Sequence, residues 1–303
     1  MEVREIEDIE AYERGREEGL SQSWEAGNMD YEDTGIRPLR LKIEQFSVQV
    51  KERQYKNINE LYLNLVHSKY PFIKEDLEVL KEGLKKVSSH YMPIIITIDL
   101  PNKVEGVDMF KGYINTIDLM NINITKKRRQ NIRRAIKAGV KIREATEEDI
   151  PFLIDISKEF AKMKNINDNV SSDRIRYAFI SPICKTFCIV LDEEIIGFEI
   201  VMIDKKSKTT CSASGAWSEE AYKVNGHSLL KYEILMWSLK NGYKNFDIGS
   251  ILPSSQLANI GHFKESFGGK TTPYYTYREL CVFGFGINLK PFAKFLKIRQ
   301  SEE

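Results

Sequence analysis

The chain has 303 residues, of which 42% are hydrophobic and 29% charged, and its formal net charge is +1 at pH 7. This composition is typical of a globular protein with a sizeable core, built as two ordinary domains or one large one. No apolar run approaches the about 18 residues of a membrane-spanning helix, and the acidic N-terminus lacks the apolar segment of a secretory signal.

The first hundred residues predict a small arrangement of strands and helices. The charged segment 4–19 predicts a helix. Apolar residues at helical spacing, Leu77, Leu80, Leu84 and Val87, predict a further helix over 72–87. Alternating or continuous apolar residues predict strands at 36–43, 48–51, within 51–70, and at 93–100.

The segment 124–143 is the most basic part of the sequence. It carries nine cations and no acid. Thr125 as N-cap and Gly139 as terminator predict a helix whose packed face is marked by Ile132 and Ile136. Within it, like charges stack four residues apart, which disfavours a helix by roughly 0.2–0.5 kcal/mol per pair unless an anion lies there. The alternatives are a solvated face and an anionic partner, and the one-sided charge favours the partner, most of all RNA.

The middle of the chain predicts helices followed by an antiparallel sheet. A capping box at Thr146–Asp149 begins one helix, and a second helix starts near Ser172. Three strands are expected at 187–191, 194–203 and 209–216. The four cysteines, which have no C-x-x-C spacing and no histidine at ligand spacing, indicate buried free thiols in a reducing cytoplasm and no metal site.

The segment 229–277 contains the residues most suggestive of a site. An amphipathic helix with Leu230, Ile234 and Trp237 on its packed face is expected to end at Asn241-Gly242, followed by a strand over 243–248 that leads into Gly249. In the next short helix, Phe263 and Phe267 are four residues apart and should face the core. Lys264 should then lie on an adjacent face, toward Asp247.

Two motif groups resemble those of FemAB-like proteins, the aminoacyltransferases of peptidoglycan cross-bridges with two GNAT-type domains in tandem. One group is Gly242-Tyr243, Phe246-Asp247 and Gly249, followed by Phe263-Lys264 and Phe267-Gly268-Gly269. The other is Arg128 to Ala135 with Lys137 and Gly139-Val140. The resemblance covers about 113–277 well and the first hundred residues weakly. It implies an α/β fold with a mixed sheet, an abbreviated N-terminal GNAT-like domain at 1–112 and a C-terminal one at 113–303.

The sequence offers no catalytic triad and no nucleotide-binding motif, since the four histidines are too scattered and the P-loop and dinucleotide fingerprints are absent. The reaction left open is acyl transfer without a covalent intermediate. By resemblance Lys264 would stabilise an oxyanion or phosphate, and Asp247 would orient the acceptor amine or take its proton. Substrate contacts are expected, each beside a purely structural alternative, from Phe263, Tyr232, Gly249 and Tyr275.

Three hypotheses for function stay open. In the first, the donor is aminoacyl-tRNA and the acceptor is a cell-envelope or peptide precursor. In the second, the donor is acyl-CoA, for which Gly226, the glycine at the start of the long helix, is a minimal phosphate cradle. In the third, the protein only binds an anion. None needs a tightly bound cofactor. The anion or RNA contacts are expected from Arg128, Arg129, Arg133, Arg134 and Lys137. The basic amphipathic tail 288–299 either touches a membrane surface or packs on the domain, and the oligomeric state stays open.

Overall fold

The structure is a computed structural model that describes residues 1–16, 20–55, 57–66, 69–88, 93–165, 170–251, 258–282 and 285–291. In chain order its elements are β1 (Val3–Glu5), α1 (Ile9–Gly15), α2 (Trp24–Thr34), β2 (Leu39–Ile43), β3 (Phe46–Tyr55), β4 (Ile58–Leu63), α3 (Lys74–Val87), β5 (Ile94–Leu100), β6 (Phe110–Asp118), α4 (Lys126–Lys137), β7 (Lys141–Glu144), α5 (Ile150–Lys164), α6 (Ser172–Ile180), β8 (Cys184–Leu191), β9 (Glu194–Asp204), β10 (Thr209–Trp217), α7 (Glu219–Lys223), α8 (Gly226–Lys240), β11 (Asn245–Ile251), α9 (Ala258–Glu265), β12 (Lys270–Val282) and β13 (Phe285–Asn288).

The chain folds into two compact units. Unit 1 contains Met1–Ile114 together with the described residues from Thr272 onward, and unit 2 contains Asn115–Ile251 and Asn259–Thr271. The sequence predicted one boundary between residues 112 and 113, with everything after it in the second domain. The structure differs because most of β12 pairs antiparallel with β5, from Tyr275 opposite Leu100 to Cys281 opposite Ile94, and so belongs to unit 1. That the N-terminal domain is abbreviated stays a prediction.

Unit 1 is a twisted sheet with α3 on one face. Its strand order is β1-β2-β3-β4-β5-β12, with β13 on β12; β4 and β5 are parallel and are connected through α3. The predicted face of α3 is confirmed, since Leu77, Leu80 and Leu84 are fully buried, and every residue of β5 is buried. The predicted helix over 4–19 is wrong at its start, because Val3–Glu5 pairs with β2 as a strand.

Unit 2 contains a mixed sheet whose strands lie in the order β11-β10-β9-β8-β7. Neighbouring strands pair antiparallel, except β10 and β11, which are parallel. The predicted strands 187–191, 194–203 and 209–216 all form. Helix α8 was predicted to be amphipathic, but both its apolar and several of its polar residues are buried, including Lys231 and Ser238. A helix covered on most sides loses the one-sided pattern that periodicity detects.

Strands β10 and β11 separate partway along their length. Their parallel register runs from Thr209 opposite Asn245 to Cys211 opposite Asp247 and then stops. Both strands continue, β10 with a register shift against β9 between Ser212 and Ser214. An opening therefore forms in the sheet just beyond Asp247.

The cysteines are free thiols; Cys184, Cys188 and Cys281 are buried, as predicted, and Cys211 is half-buried. Across the described ranges, no helix combines the length and apolarity needed to cross a membrane. The tail whose contacts were left open, 288–299, is described only as far as Pro291, and the rest lies outside the described residues.

Candidate active site

The opening beside β11 holds Asp247 and Lys264 in one local arrangement. The backbone N–H of Gly249 donates to Asp247 Oδ1 at 2.7 Å, and Lys264 Nζ donates to the carbonyl oxygen of Ser250 at 2.8 Å. Gly249 has φ +88°, and a Cβ added to it would lie 3.1 Å from Lys264 Nζ. The glycine thus allows both the backbone turn that reaches the carboxylate and the close approach of the lysine.

Burial shifts both of these groups toward their neutral forms. Burial raises the pKa of Asp247, opposed by the Gly249 N–H and the charge of Lys264. The pKa of Lys264 is lowered, first by burial and then by the positive charge of Lys231, with Asp247, Cys211 and Glu199 opposing. Because the pKa of the carboxyl is raised and the pKa of the amine is lowered, the two values lie closer together than in surface groups. Such groups exchange protons with a substrate more readily.

Lys264 points toward this opening because two aromatic residues anchor the end of α9: Phe263 within the helix and Phe267 in the turn that follows it. Phe267 is fully buried, and its ring lies 5.2 Å from that of Phe263, edge to face. Phe263 is partly buried against the same core. The predicted direction of Lys264 toward Asp247 is confirmed, and its catalytic role stays a prediction.

Two charged residues that the sequence analysis missed, Lys231 and Glu199, lie beside the pair. Each is only 4% exposed, and they form an ion pair between α8 and β9. Ser212 on β10 donates to Glu199 Oε1 at 2.7 Å and accepts from Lys231 Nζ. The sequence does contain an indication, since each charge interrupts an apolar run, and a lone charge in a buried run needs a partner.

Helix α4 begins and ends where the sequence predicted. Thr125 caps it, accepting from the backbone N–H of Arg128 at 3.4 Å. Its packed face differs from the prediction, because Ile132 and Ala135 are buried whereas Ile136 is 56% exposed. The small Ala135 brings this face against the core and rotates Ile136 outward.

The nine cations of the basic segment separate into three groups: two paired with acids, one turned inward and six exposed. Arg143 makes a bidentate pair with Asp149 at 2.6 and 2.8 Å, and Lys141 lies 3.4 Å from Glu193. Arg128 turns inward. The remaining six, exposed and paired with no acid within the described part of the chain, are Lys126, Lys127, Arg129, Arg133, Arg134 and Lys137.

Arg128 connects three helices instead of extending into solvent. Its Nη1 donates to Ser228 Oγ in the first turn of α8 at 2.6 Å, and its Nε donates to Ser266 Oγ, just after α9, at 2.8 Å. The guanidinium carbon lies 4.4 Å from the centre of the Phe263 ring. Among the described residues no acid pairs with it, so a positive charge stands at the positive end of the α8 dipole.

The other sequence-predicted residues have simpler surroundings. Tyr232 is partly buried against the core of unit 2. Tyr275 belongs to unit 1, where it packs against that unit's core. A Cβ on Gly226 would come within 2.8 Å of Ile189 Cγ2, so close packing already accounts for this glycine without a phosphate.

Comparison with known proteins shows which known structures share this fold. No protein-family model matches the chain, and no curated protein matches it by sequence. Solved structures do match over nearly the whole chain, and the likeness shows the fold: a mixed α/β fold with a large mixed sheet, as the motifs predicted, like that of FemX and L-PGS.

Among these structures, FemX aligns over 98% of this chain and 100% of its own, with a TM-score of 0.67 and 12% identity. L-PGS from Bacillus licheniformis aligns over 98% of both chains, with a TM-score of 0.64 and 16% identity. N-myristoyltransferase from Saccharomyces cerevisiae, solved with bound myristoyl-CoA, covers 91% of this chain and 78% of its own at a TM-score of 0.50 and 11% identity.

Proposed function

We propose that the protein is an acyltransferase that forms an amide bond on an amine acceptor, with aminoacyl-tRNA as donor. The observation that carries the proposal is the placing of Asp247 and Lys264 together at the opening between β10 and β11. The FemAB-like motifs and the fold shared with FemX and L-PGS support the same reaction class.

The two side chains fit the two demands of the reaction. As the acceptor amine attacks the ester carbonyl carbon, a C–N bond forms and negative charge develops on the carbonyl oxygen, which the Lys264 ammonium stabilises. Asp247 orients the amine and takes its proton. When the C–O bond of the ester breaks, that proton passes to the departing hydroxyl oxygen of the donor, so no covalent enzyme intermediate is needed.

The six exposed cations of α4 support a polyanionic donor. Along one helix face, Arg129, Arg133 and Lys137 are spaced four residues apart and repel one another unless phosphates neutralise them. Contacts to an RNA backbone release counterions and supply binding energy without reading sequence. An aminoacyl-tRNA donor also implies that the reaction takes place in the cytoplasm. In this proposal the acceptor is a cell-envelope or peptide precursor, and no tightly bound cofactor takes part.

Acyl-CoA is the second candidate donor. It is favoured by the likeness to N-myristoyltransferase and by Arg128, a cation without an acidic partner in the described ranges, at the start of α8, where a phosphate would be stabilised. If the third hypothesis holds and the protein only binds an anion, it will bind the anionic donor but form no amide product.

The test combines product detection with salt-dependent binding. Purified protein is incubated with total aminoacyl-tRNA or with a panel of acyl-CoAs, together with amine acceptors, and amide products are identified by mass spectrometry. An amide formed from aminoacyl-tRNA supports the proposal; one formed only from acyl-CoA moves the donor to the second candidate; no amide from either refutes a transferase.

In parallel, tRNA affinity is measured from about 50 to 200 mM salt, where a surface contacting several phosphates loses binding steeply, with a log–log slope of about 0.7–0.9 per contact. Arg133→Glu combined with Lys137→Glu should lower both affinity and slope. Lys205→Glu combined with Lys206→Glu makes the same charge change on the β9–β10 turn and should do so less. Equal effects from both pairs would exclude α4 as the RNA surface.

A further inference from the structure

The turn that follows α9 lies against the segment that begins α4. The backbone N–H of Thr125, the N-cap of α4, donates to the carbonyl oxygen of Ser266 at 3.0 Å. A Cβ added to Gly268 would lie only 2.7 Å from the carbonyl oxygen of Asn123. The end of α9 is therefore packed where side chains of the first turn of α4 can reach it.

Arg128 makes this connection, and it reaches α9 by two routes. Its Nε donates to Ser266 Oγ at 2.8 Å, and Ser266 Oγ in turn donates to the carbonyl oxygen of Phe263 at 2.6 Å. Its guanidinium carbon lies 4.4 Å from the centre of the Phe263 ring and 5.2 Å from that of Phe267. Both the backbone and the ring of the residue directly before Lys264 are thus held by Arg128 or by the hydroxyl that Arg128 binds.

The other end of the guanidinium fixes Arg128 to α8. Its Nη1 donates at 2.6 Å to the hydroxyl of Ser228, which is fully buried in the first turn of that helix. Helices α4 and α8 also share one buried core, to which Ile132 and Leu229 belong. A guanidinium presents its donors in fixed directions, so it can bond two hydroxyls on different segments, whereas a lysine ammonium is a point charge on a flexible stem.

A half-buried cation without an acidic partner is an unusual choice for a packed position. Within the described ranges, Arg128 is compensated by two hydroxyls and two aromatic rings instead of a carboxylate. Burying a charge in this way is costly, and an apolar side chain would fill the same space at less cost. The six exposed cations of α4 stay available to an anion, whereas Arg128 uses its Nε and Nη1 inside the protein. Its directed hydrogen bonds are what neither an apolar residue nor an exposed cation supplies.

We propose that Arg128 is a positioning residue that acts through Lys264: anchored on α8, it holds the end of α9 and so fixes where the Lys264 side chain lies at the opening of the sheet. For catalysis this inference rests on the proposed function, whereas the hold on α9 does not. Lys264 Nζ donates to the carbonyl oxygen of Ser250 at 2.8 Å, and that contact depends on where α9 lies. A shift of about 1 Å in α9 would lower the transfer rate on the order of 10²-fold, because catalytic groups must stay aligned with the reacting atoms.

Two substitutions separate this role from a role of the positive charge alone. Arg128→Met removes the charge and both hydrogen bonds, whereas Arg128→Lys keeps the charge but does not bond the hydroxyls of Ser228 and Ser266 together. If Arg128 positions α9, both variants should loosen α9; if Arg128 only supplies charge to an anion, Arg128→Lys should behave as the native protein does. Ser266→Ala removes one of the two routes to α9 and leaves Arg128 in place. It should show the same change to a smaller degree, and it keeps the test decisive if an Arg128 variant does not fold.

Hydrogen exchange followed by mass spectrometry measures the hold on α9 without any substrate. A hydrogen bond to a charged group is worth enough to shift a local opening equilibrium about tenfold, so residues 262–268 should exchange about tenfold faster in Arg128→Lys and Arg128→Met. The rest of unit 2 should change less. Acetic anhydride, which acylates the neutral amines that it can reach, should label Lys264 faster in both variants, because the amine is no longer held at the carbonyl of Ser250.

A matched control removes a different buried hydroxyl contact of α8. Thr210 on β10 donates to Ser238 on α8 at 2.9 Å, and both are fully buried. Ser238→Ala should lower the free energy of unfolding but leave the exchange of residues 262–268 and the labelling of Lys264 as they are in the native protein. Native-like exchange in Arg128→Lys, or the same increase across all of unit 2 as in 262–268, would overturn the proposal.

Transfer from saturating aminoacyl-tRNA then separates positioning from donor binding. In both Arg128 variants the single-turnover rate should fall while the dissociation constant for tRNA stays the same. A raised dissociation constant with an unchanged rate at saturation would make Arg128 a donor contact and overturn the proposal. If residues 262–268 exchange faster but neither aminoacyl-tRNA nor the acyl-CoAs give an amide with the native protein, the proposed function fails and the hold of Arg128 on α9 stands.

Discussion

Replacing Gly249 by alanine tests the geometry on which the candidate site rests. The residue has φ +88°, where an L side chain costs about 1–2 kcal/mol, and the new Cβ would stand 3.1 Å from Lys264 Nζ. Gly242 provides the matched control: it precedes the same strand, has φ +80°, and an added Cβ there meets nothing within 4 Å. The two variants therefore share backbone strain and differ in the contact with the lysine.

We expect both variants to lose about 1–2 kcal/mol in urea unfolding. Only Gly249→Ala should displace the ammonium from the carbonyl oxygen of Ser250, and a misplacement of about 1 Å can cost on the order of 10²-fold in rate. Single-turnover transfer with the donor that proves active, and acetic anhydride labelling of Lys264, measure that loss. Equal transfer by the two variants would refute the claim that Gly249 exists to admit Lys264.

Two further predictions concern charges. Lys264→Met keeps the packing of the side-chain stem and removes the ammonium, so single-turnover transfer should fall by about 10²–10³-fold while the free energy of unfolding stays almost unchanged. As a control, replacing Lys270, an exposed lysine of the same segment, by methionine should leave transfer unchanged. Normal turnover in Lys264→Met would show that Lys264 is only a surface lysine. The Arg143 hydrogen bonds hold the pKa of Asp149 at about 2 instead of 3.8. The stability this confers is therefore present above pH about 4 and is lost as pH falls toward 2. Because Arg143 is 43% exposed, we expect about 1–2 kcal/mol. Urea unfolding of Asp149→Asn from pH 7 to 2 should lack that decrease, and an unchanged decrease would show that other carboxylates cause it.

Local patterns determined much of the fold. The stripe on α3, the cap and end of α4 and the continuous apolar run of β5 each depend on neighbours along the chain, so they could be predicted from spacing. The direction of Lys264 belongs to the same category, because two aromatic residues four apart, one in α9 and one in the turn after it, fix which face of the short helix is buried. The FemAB-like motifs then supplied the fold class.

The tertiary structure decided what depends on residues distant in sequence. The pairing of β12 with β5 moved the C-terminal strand into unit 1, and no local pattern records which strand a strand will pair with. Burial by distant segments turned Arg128 inward, and Ile136 stayed exposed because Ala135 took the packed position.

The ion pair of Lys231 and Glu199 shows the difference most clearly. The two residues are 32 positions apart and lie in runs that periodicity interprets as plain core. Each charge by itself is only a defect in an apolar pattern. Burial makes partners obligatory, and only the packing of α8 against β9 and β10 determines that these two meet, with Ser212 in contact with both.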